Sequence, residues 1–129
     1  MLPNRKRILI VEDDDDMLFL LEQALTGAGY VVESCKAGTG IVESKHTWPD
    51  LFILDKNLPT IDGLALSKFL RLQEHTRHVP IVMISAYPLK HRADKAGIDH
   101  FIQKPFDLNH LLDVIAQCCE MKSGEPQVV

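Results

Sequence analysis

The chain has 129 residues, 46% hydrophobic and 25% charged, which fits one globular domain with a buried core, and a second folded unit is not expected within it. A formal net charge of -4 at pH 7 offers no general attraction to nucleic acid or anionic lipid, so direct binding to either is not expected. Only Ile8 to Val11 separate the basic opening MLPNRKR from a run of acids, too short for a secretory leader, and no stretch reaches membrane-spanning length, so a cytoplasmic location is expected.

Ile8 to Val11 (ILIV) is a short continuous apolar run rich in β-branched side chains, the pattern of a strand buried on both faces in a helix-covered parallel sheet. Five acidic residues, Glu12 to Asp16, follow directly. Met17, Leu20, Leu21, Ala24, Leu25 and Ala28 then recur at helical spacing, with Gly29 where a left-handed residue would end the helix. Tyr30 to Cys35 (YVVESC) is a second strand candidate and Gly38 to Lys45 a short helix. Leu51 to Leu54 (LFIL) is the third strand, followed by a turn over Pro59 to Gly63 and a helix marked by Leu64, Ala65, Lys68, Phe69 and Leu72. Ile81 to Ile84 (IVMI) is the fourth strand, with a helix of few large apolar residues over Pro88 to Ala96. His100 to Gln103 (HFIQ) is the fifth, before a last helix carrying Leu108, Leu111, Leu112, Ile115 and Ala116. A strand and helix repeated five times predict an α/β, doubly wound parallel sheet. The domain is expected over 1–121, with 122–129 a tail or the start of a linker.

In open parallel sheets, ligands bind beyond the carboxyl ends of the strands. The residues there are Glu12 and Asp13 after the first strand, Asp55 after the third, Ser85 and Ala86 after the fourth, and Lys104 after the fifth. Clustered carboxylates repel by about 4 kcal/mol for a pair 4 Å apart at an effective dielectric near 20, so they need a cation, a helix end or open solvent. Asp13 and Asp55, helped by Glu12 through water, make a hard oxygen site for Mg²⁺ with room left for a phosphoryl group. Lys104 and Ser85 supply an ammonium and a hydroxyl for phosphoryl oxygens, and Asp55 can then act as nucleophile. Asp14, Asp15 and Asp16 have a different use, capping the first helix and opposing its dipole.

Four stretches in order, ILIVEDD, LFILDKNLPTIDG, PIVMISA and HFIQKPF, resemble the receiver domain of two-component response regulators over Ile8 to about Cys119. The resemblance implies a flavodoxin-like sheet in the order 2-1-3-4-5. It implies that Asp55 accepts a phosphoryl group from a phosphohistidine on a sensor histidine kinase or histidine phosphotransfer protein. Mg²⁺ would be held by Asp13, Asp55 and the main-chain carbonyl of Asn57, with Glu12 behind them. Backbone N–H groups of Asn57 and Ala86 would join Lys104 and Ser85 in binding phosphoryl oxygens. Ser85 and Phe101 would be the switch residues, Asn57 and Tyr87 would tune phosphoryl lifetime, and an output partner would bind the predicted 88–96 helix, the fifth strand and the last helix. Some residues depart from the usual pattern: Ser85 stands where threonine is more usual, Lys56 where an aliphatic residue is, Glu12 where aspartate is, and Phe101 lacks a tyrosine's hydroxyl.

Two other readings compete. An aspartyl-phosphate phosphatase of the haloacid-dehalogenase type would carry an aspartate two residues after the nucleophile, where this chain has Asn57, and would need a large cap insertion. A scaffold that has lost phosphorylation would not be expected to keep Asp13, Asp55, Ser85 and Lys104. The three cysteines, Cys35, Cys118 and Cys119, have no metal or CxxC spacing and read as reduced thiols. The six histidines read as surface residues, with His100 and His110 available to a partner face.

Overall fold

A computed structural model of the chain describes residues 5–42, 48–59, 61–88 and 96–120. Its strands are β1 (Arg7–Val11), β2 (Val31–Cys35), β3 (Leu51–Asp55), β4 (Ile81–Ser85) and β5 (His100–Gln103). The helices among the described residues are α1 (Asp15–Gly27), α2 (Thr39–Val42), α3 (Gly63–Leu72) and α4 (Leu108–Cys119). The predicted helix over 88–96 and the tail over 122–129 fall largely or wholly outside the described residues, as does the second half of the predicted 38–45 helix.

All strand pairings are parallel, in the order β2-β1-β3-β4-β5, so β1 and β3 sit inside and the chain reverses direction across the sheet between them. Alternation of side chains explains why the strands are apolar without interruption. Ile8, Ile10, Leu51, Ile53, Val82 and Ile84 face α1 and α4, meeting Leu21, Leu25, Leu111 and Ile115. Leu9, Val11, Phe52, Leu54, Ile81 and Met83 face the other way, meeting Leu64, Leu66 and Leu70 of α3 and Ile41 of α2. Burying such a Leu or Ile is worth about 1.5–3 kcal/mol, so each sheet face is a substantial core.

Each longer helix starts on an aspartate. Asp14, Asp62 and Asp107 accept from the N–H groups of Asp16, Leu64 and Asn109 at 3.3, 2.7 and 2.9 Å, each satisfying one orphan donor of the first turn. Asp15 and Asp16 lie in the first turn of α1, as the acidic run predicted. At the other end, Gly29 takes φ +99°, the left-handed conformation expected of it.

Two helix faces differ from expectation. In α3 the packed side is Gly63, Leu64, Leu66, Ser67 and Leu70, whereas Ala65 and Lys68 are exposed and Leu72 is 82% exposed. The apolar stripe runs through Leu64, Leu66 and Leu70, and Gly63 at its start lies so close to the end of β3 that a Cβ would meet the Asp55 and Lys56 backbone. Ser67 belongs inside because its hydroxyl donates to the Ala96 carbonyl at 2.6 Å. In α1 the buried stripe is Leu18, Leu21 and Leu25, with Leu20 exposed.

Candidate functional site

The Val11–Leu54 register aligns the carboxyl ends of β1 and β3, and main-chain bonds just past the strands tie β1 to β2, β3 to β4 and β4 to β5. Glu12 N–H donates to the Cys35 carbonyl at 3.0 Å, Lys56 N–H to Ile84 at 2.9 Å and Lys104 N–H to Ser85 at 2.7 Å. The side chains that follow each strand therefore emerge along one edge. A cis peptide joins Lys104 to Pro105.

Lys104 Nζ lies 3.3 Å from Glu12 Oε1 and 3.7 Å from Asp55 Oδ2. Glu12 and Asp55 are buried, Asp13 is exposed, and one carboxylate oxygen from each of the three falls within 4.8 Å of the others. Burial raises the Glu12 pKa to about 7, helped by a hydrogen bond to Asp55 that only the protonated form can make and by the charge of Asp55. Lys104 and the Asp14 N–H, 3.3 Å from Glu12 Oε2, pull in the other direction and do not cancel it. Negative charge thus exceeds what one ammonium balances. A small oxygen-seeking divalent cation such as Mg²⁺ fits that surplus and that donor set.

Of the remaining predicted residues, Asn57 touches this cluster, Ser85 ends β4 at the same sheet edge, and Phe101 lies further back along β5. Asn57 N–H donates to Asp55 Oδ1 at 3.2 Å. Ser85 is fully buried and its Oγ accepts from Tyr87 N–H at 3.1 Å, while Ala86 and Tyr87 are exposed. Phe101, opposite Met83 in the β4–β5 register, is half-buried against the α3-side core.

Some contacts were not foreseen in the sequence. Lys56 Nζ pairs with Asp62 Oδ2 at 3.1 Å, across the turn that carries Asn57. Gly63 closes the same turn: its N–H donates to the Lys56 carbonyl at 2.8 Å, and a Cβ there would stand 2.4 Å from the Asp55 carbonyl oxygen. Arg71 donates to the carbonyls of Gly97 and Val79 at 2.8 and 2.6 Å and pairs with Asp99 at 2.5 Å. His100 is half-buried rather than on the surface, its ring edge-on to His110 with centroids 6.5 Å apart. The DKNLPTIDG stretch signalled a turn, but only the folded backbone reveals which of its side chains meet.

The family model for the response regulator receiver domain matches residues 8–116. Among curated proteins, the polar-differentiation response regulator DivK of Brucella ovis and that of Brucella suis are each 27% identical over 114 residues, covering 85% of this chain and 93% of theirs. Among solved structures, a putative response regulator from Chloroflexus aurantiacus is 31% identical with a TM-score of 0.85, covering 91% of this chain and 99% of that one. The receiver domain of a sensor histidine kinase from Pseudomonas aeruginosa, solved with magnesium coordinated in its active-site cleft, is 26% identical with a TM-score of 0.81 over the same shares. With that match running from β1 into α4 and the sheet in the same order, the chain belongs to the response regulator receiver domains of two-component signalling.

Proposed function

We propose that this chain is a phospho-accepting receiver that takes a phosphoryl group onto Asp55 from a phosphohistidine of a sensor histidine kinase or histidine phosphotransfer protein. The observation that carries the reading is Lys104 Nζ, 3.3 Å from Glu12 and 3.7 Å from Asp55 and drawn from the far edge of the sheet to the acidic cluster. In the transfer, an Asp55 carboxylate oxygen attacks phosphorus, a P–O bond forms, the P–N bond to the donor imidazole breaks, and the imidazole leaves with the electron pair. Asp13, Asp55 and the Asn57 carbonyl would hold Mg²⁺, with Glu12 behind them. When bound, that ion neutralises charge on the phosphoryl oxygens.

The chain's own groups do the rest. Lys104 offers a mobile ammonium to one phosphoryl oxygen, and the Asn57 and Ala86 N–H groups face others. Asn57 N–H already donates to Asp55 Oδ1, so it exchanges one anionic acceptor for another. Ser85 gives up its bond from Tyr87 N–H to turn its hydroxyl toward the phosphoryl group, and Phe101 follows inward. Asn57 and Tyr87 set how easily water reaches the acyl phosphate. The changed surface of the 88–96 segment, β5 and α4 binds the output partner. The receiver spans 1–121, acts in the cytoplasm and turns over no external substrate; among the described residues no helix is long and apolar enough to cross a membrane.

A phosphoryl mimic tests the site directly. With Mg²⁺ and beryllofluoride, amide resonances of Asn57, Ala86 and Lys104 are expected to shift in the native chain and to stay in place in Asp55→Asn. Unmoved resonances in the native chain would favour a scaffold that has lost phosphorylation.

A further inference from the structure

The turn between β3 and α3 carries Asn57, whose main-chain carbonyl belongs to the ligand set proposed above. Asp55 ends β3, whereas Asn57 sits in the loop beyond it. Three contacts close the base of that loop. Gly63 N–H reaches the Lys56 carbonyl at 2.8 Å, Asp62 Oδ1 accepts from Leu64 N–H at 2.7 Å, and Asp62 Oδ2 pairs with Lys56 Nζ at 3.1 Å. The Lys56 side chain is 19% exposed and that of Asp62 43%, so the pair is shielded on the lysine side and open to solvent on the other.

We propose that the Lys56–Asp62 ion pair is a clasp that positions the Asn57 carbonyl, making Lys56 and Asp62 positioning residues for the divalent cation. The inference rests on the reading of the site as a Mg²⁺-dependent phosphoryl acceptor. One carboxylate serves two elements: Oδ1 fixes the start of α3, and Oδ2 fixes the residue before Asn57. The loop is thereby tied at both ends to parts that do not move independently, β3 through Lys56 and α3 through Asp62. A preformed carbonyl spares the ion the entropy of ordering the loop on binding.

The sign of the effect separates this role from simple charge. A cation beside a Mg²⁺ site opposes the metal, so deleting Lys56 as a mere charge would tighten binding. Deleting it as a clasp weakens binding.

The test is a Mg²⁺ titration of the full chain by calorimetry, with metal-free amide exchange at Asn57 and Leu58 read alongside. Lys56→Met is expected to weaken Mg²⁺ binding by about three- to tenfold, between the values typical of an exposed pair and of a buried positioning contact. Exchange at Asn57 and Leu58 is expected to quicken while the denaturation midpoint stays nearly constant. Lys56→Arg should restore both readouts. Asp62→Asn, which keeps a capping side chain, should weaken binding as well, and the double variant Lys56→Met/Asp62→Asn should bind no more weakly than Lys56→Met alone. Unchanged or tighter Mg²⁺ binding by Lys56→Met, or unchanged exchange in the loop, would overturn the clasp while leaving the phosphoryl-acceptor reading intact. A native chain that binds no Mg²⁺ would overturn both.

Discussion

Lys104 Nζ stands 3.3 Å from Glu12 Oε1 although 92 residues of chain separate them. The contact spans the sheet from β5 to β1 and bridges over β3, because Asp55 lies on the same ammonium at 3.7 Å. Removing the ammonium leaves two buried carboxyl groups facing each other. Lys104→Met is expected to push the Glu12 pKa further above about 7 and to cut phosphorylation of Asp55 by tenfold or more. Carboxyl NMR titration and phosphorylation yield read the two effects.

Glu12 also makes stability depend on pH in an unusual direction. Its folded pKa, about 7, lies above the 4.5 of a free glutamate, so between those values the folded state holds a proton that the unfolded state has released. Metal-free stability therefore falls as pH rises through that window, by on the order of 2 kcal/mol. Urea denaturation at pH 5 and pH 8 in the presence of a chelator should show this component, and Glu12→Gln should remove it. Added Mg²⁺ should offset the loss at pH 8.

His100 acts with the opposite sign. Burial and the neighbouring His110 lower its pKa below 6.5, while Asp99 partly opposes them. The unfolded chain takes up the proton first as pH falls. The His100 contribution to stability is thus complete above pH 6.5 and is lost on acidification through the lowered folded pKa. Comparing His100→Asn with the native chain between pH 7.5 and 5 should show a shallower acid loss in the variant.

Gly63→Ala reverses the usual helix rule. Alanine in place of glycine normally favours a helix by about 1 kcal/mol. Here the added methyl would meet two backbone atoms, the Asp55 oxygen at 2.4 Å and Lys56 Cα at 2.8 Å. A net loss of about 2–3 kcal/mol is expected, with a rearranged turn beside Asp55. Thermal unfolding and the Asn57 amide shift check it.

Arg71 joins α3 to the segments before β4 and β5. Its guanidinium donates to Arg77, Val79 and Gly97 carbonyls and to Asp99, whose Oδ2 also accepts from Ile81 N–H at 2.8 Å. Arg71→Ala should cost about 2–4 kcal/mol by stranding these acceptors, and Arg71→Lys should recover little because an ammonium cannot reproduce the fork. Chemical denaturation of both variants decides it.

The sheet was legible because parallel strands covered on both faces need apolar side chains at every position, and ILIV, LFIL and IVMI supply them. The placement of Glu12, Asp13, Asp55 and Ser85 along one sheet edge was legible for the same reason, since each directly or closely follows such a run, and that of Lys104 from the weaker strand pattern HFIQ before it. The inner face of α3 was legible only in part, because Ser67 and Gly63 share it with Leu64, Leu66 and Leu70 and carry no hydrophobic signal, while the exposed Leu72 does. Lys56–Asp62, the Arg71 contacts and the His100–His110 pair depend on how separate segments approach one another. A single sequence contains no pattern for those approaches.

Intact-mass measurement after exposure to a small phosphodonor decides whether Asp55 is the phosphoryl acceptor. A Mg²⁺-dependent gain of one phosphoryl group, absent in Asp55→Asn, is the predicted result. No gain in the native chain, or an equal gain in Asp55→Asn, would contradict Asp55 as the acceptor.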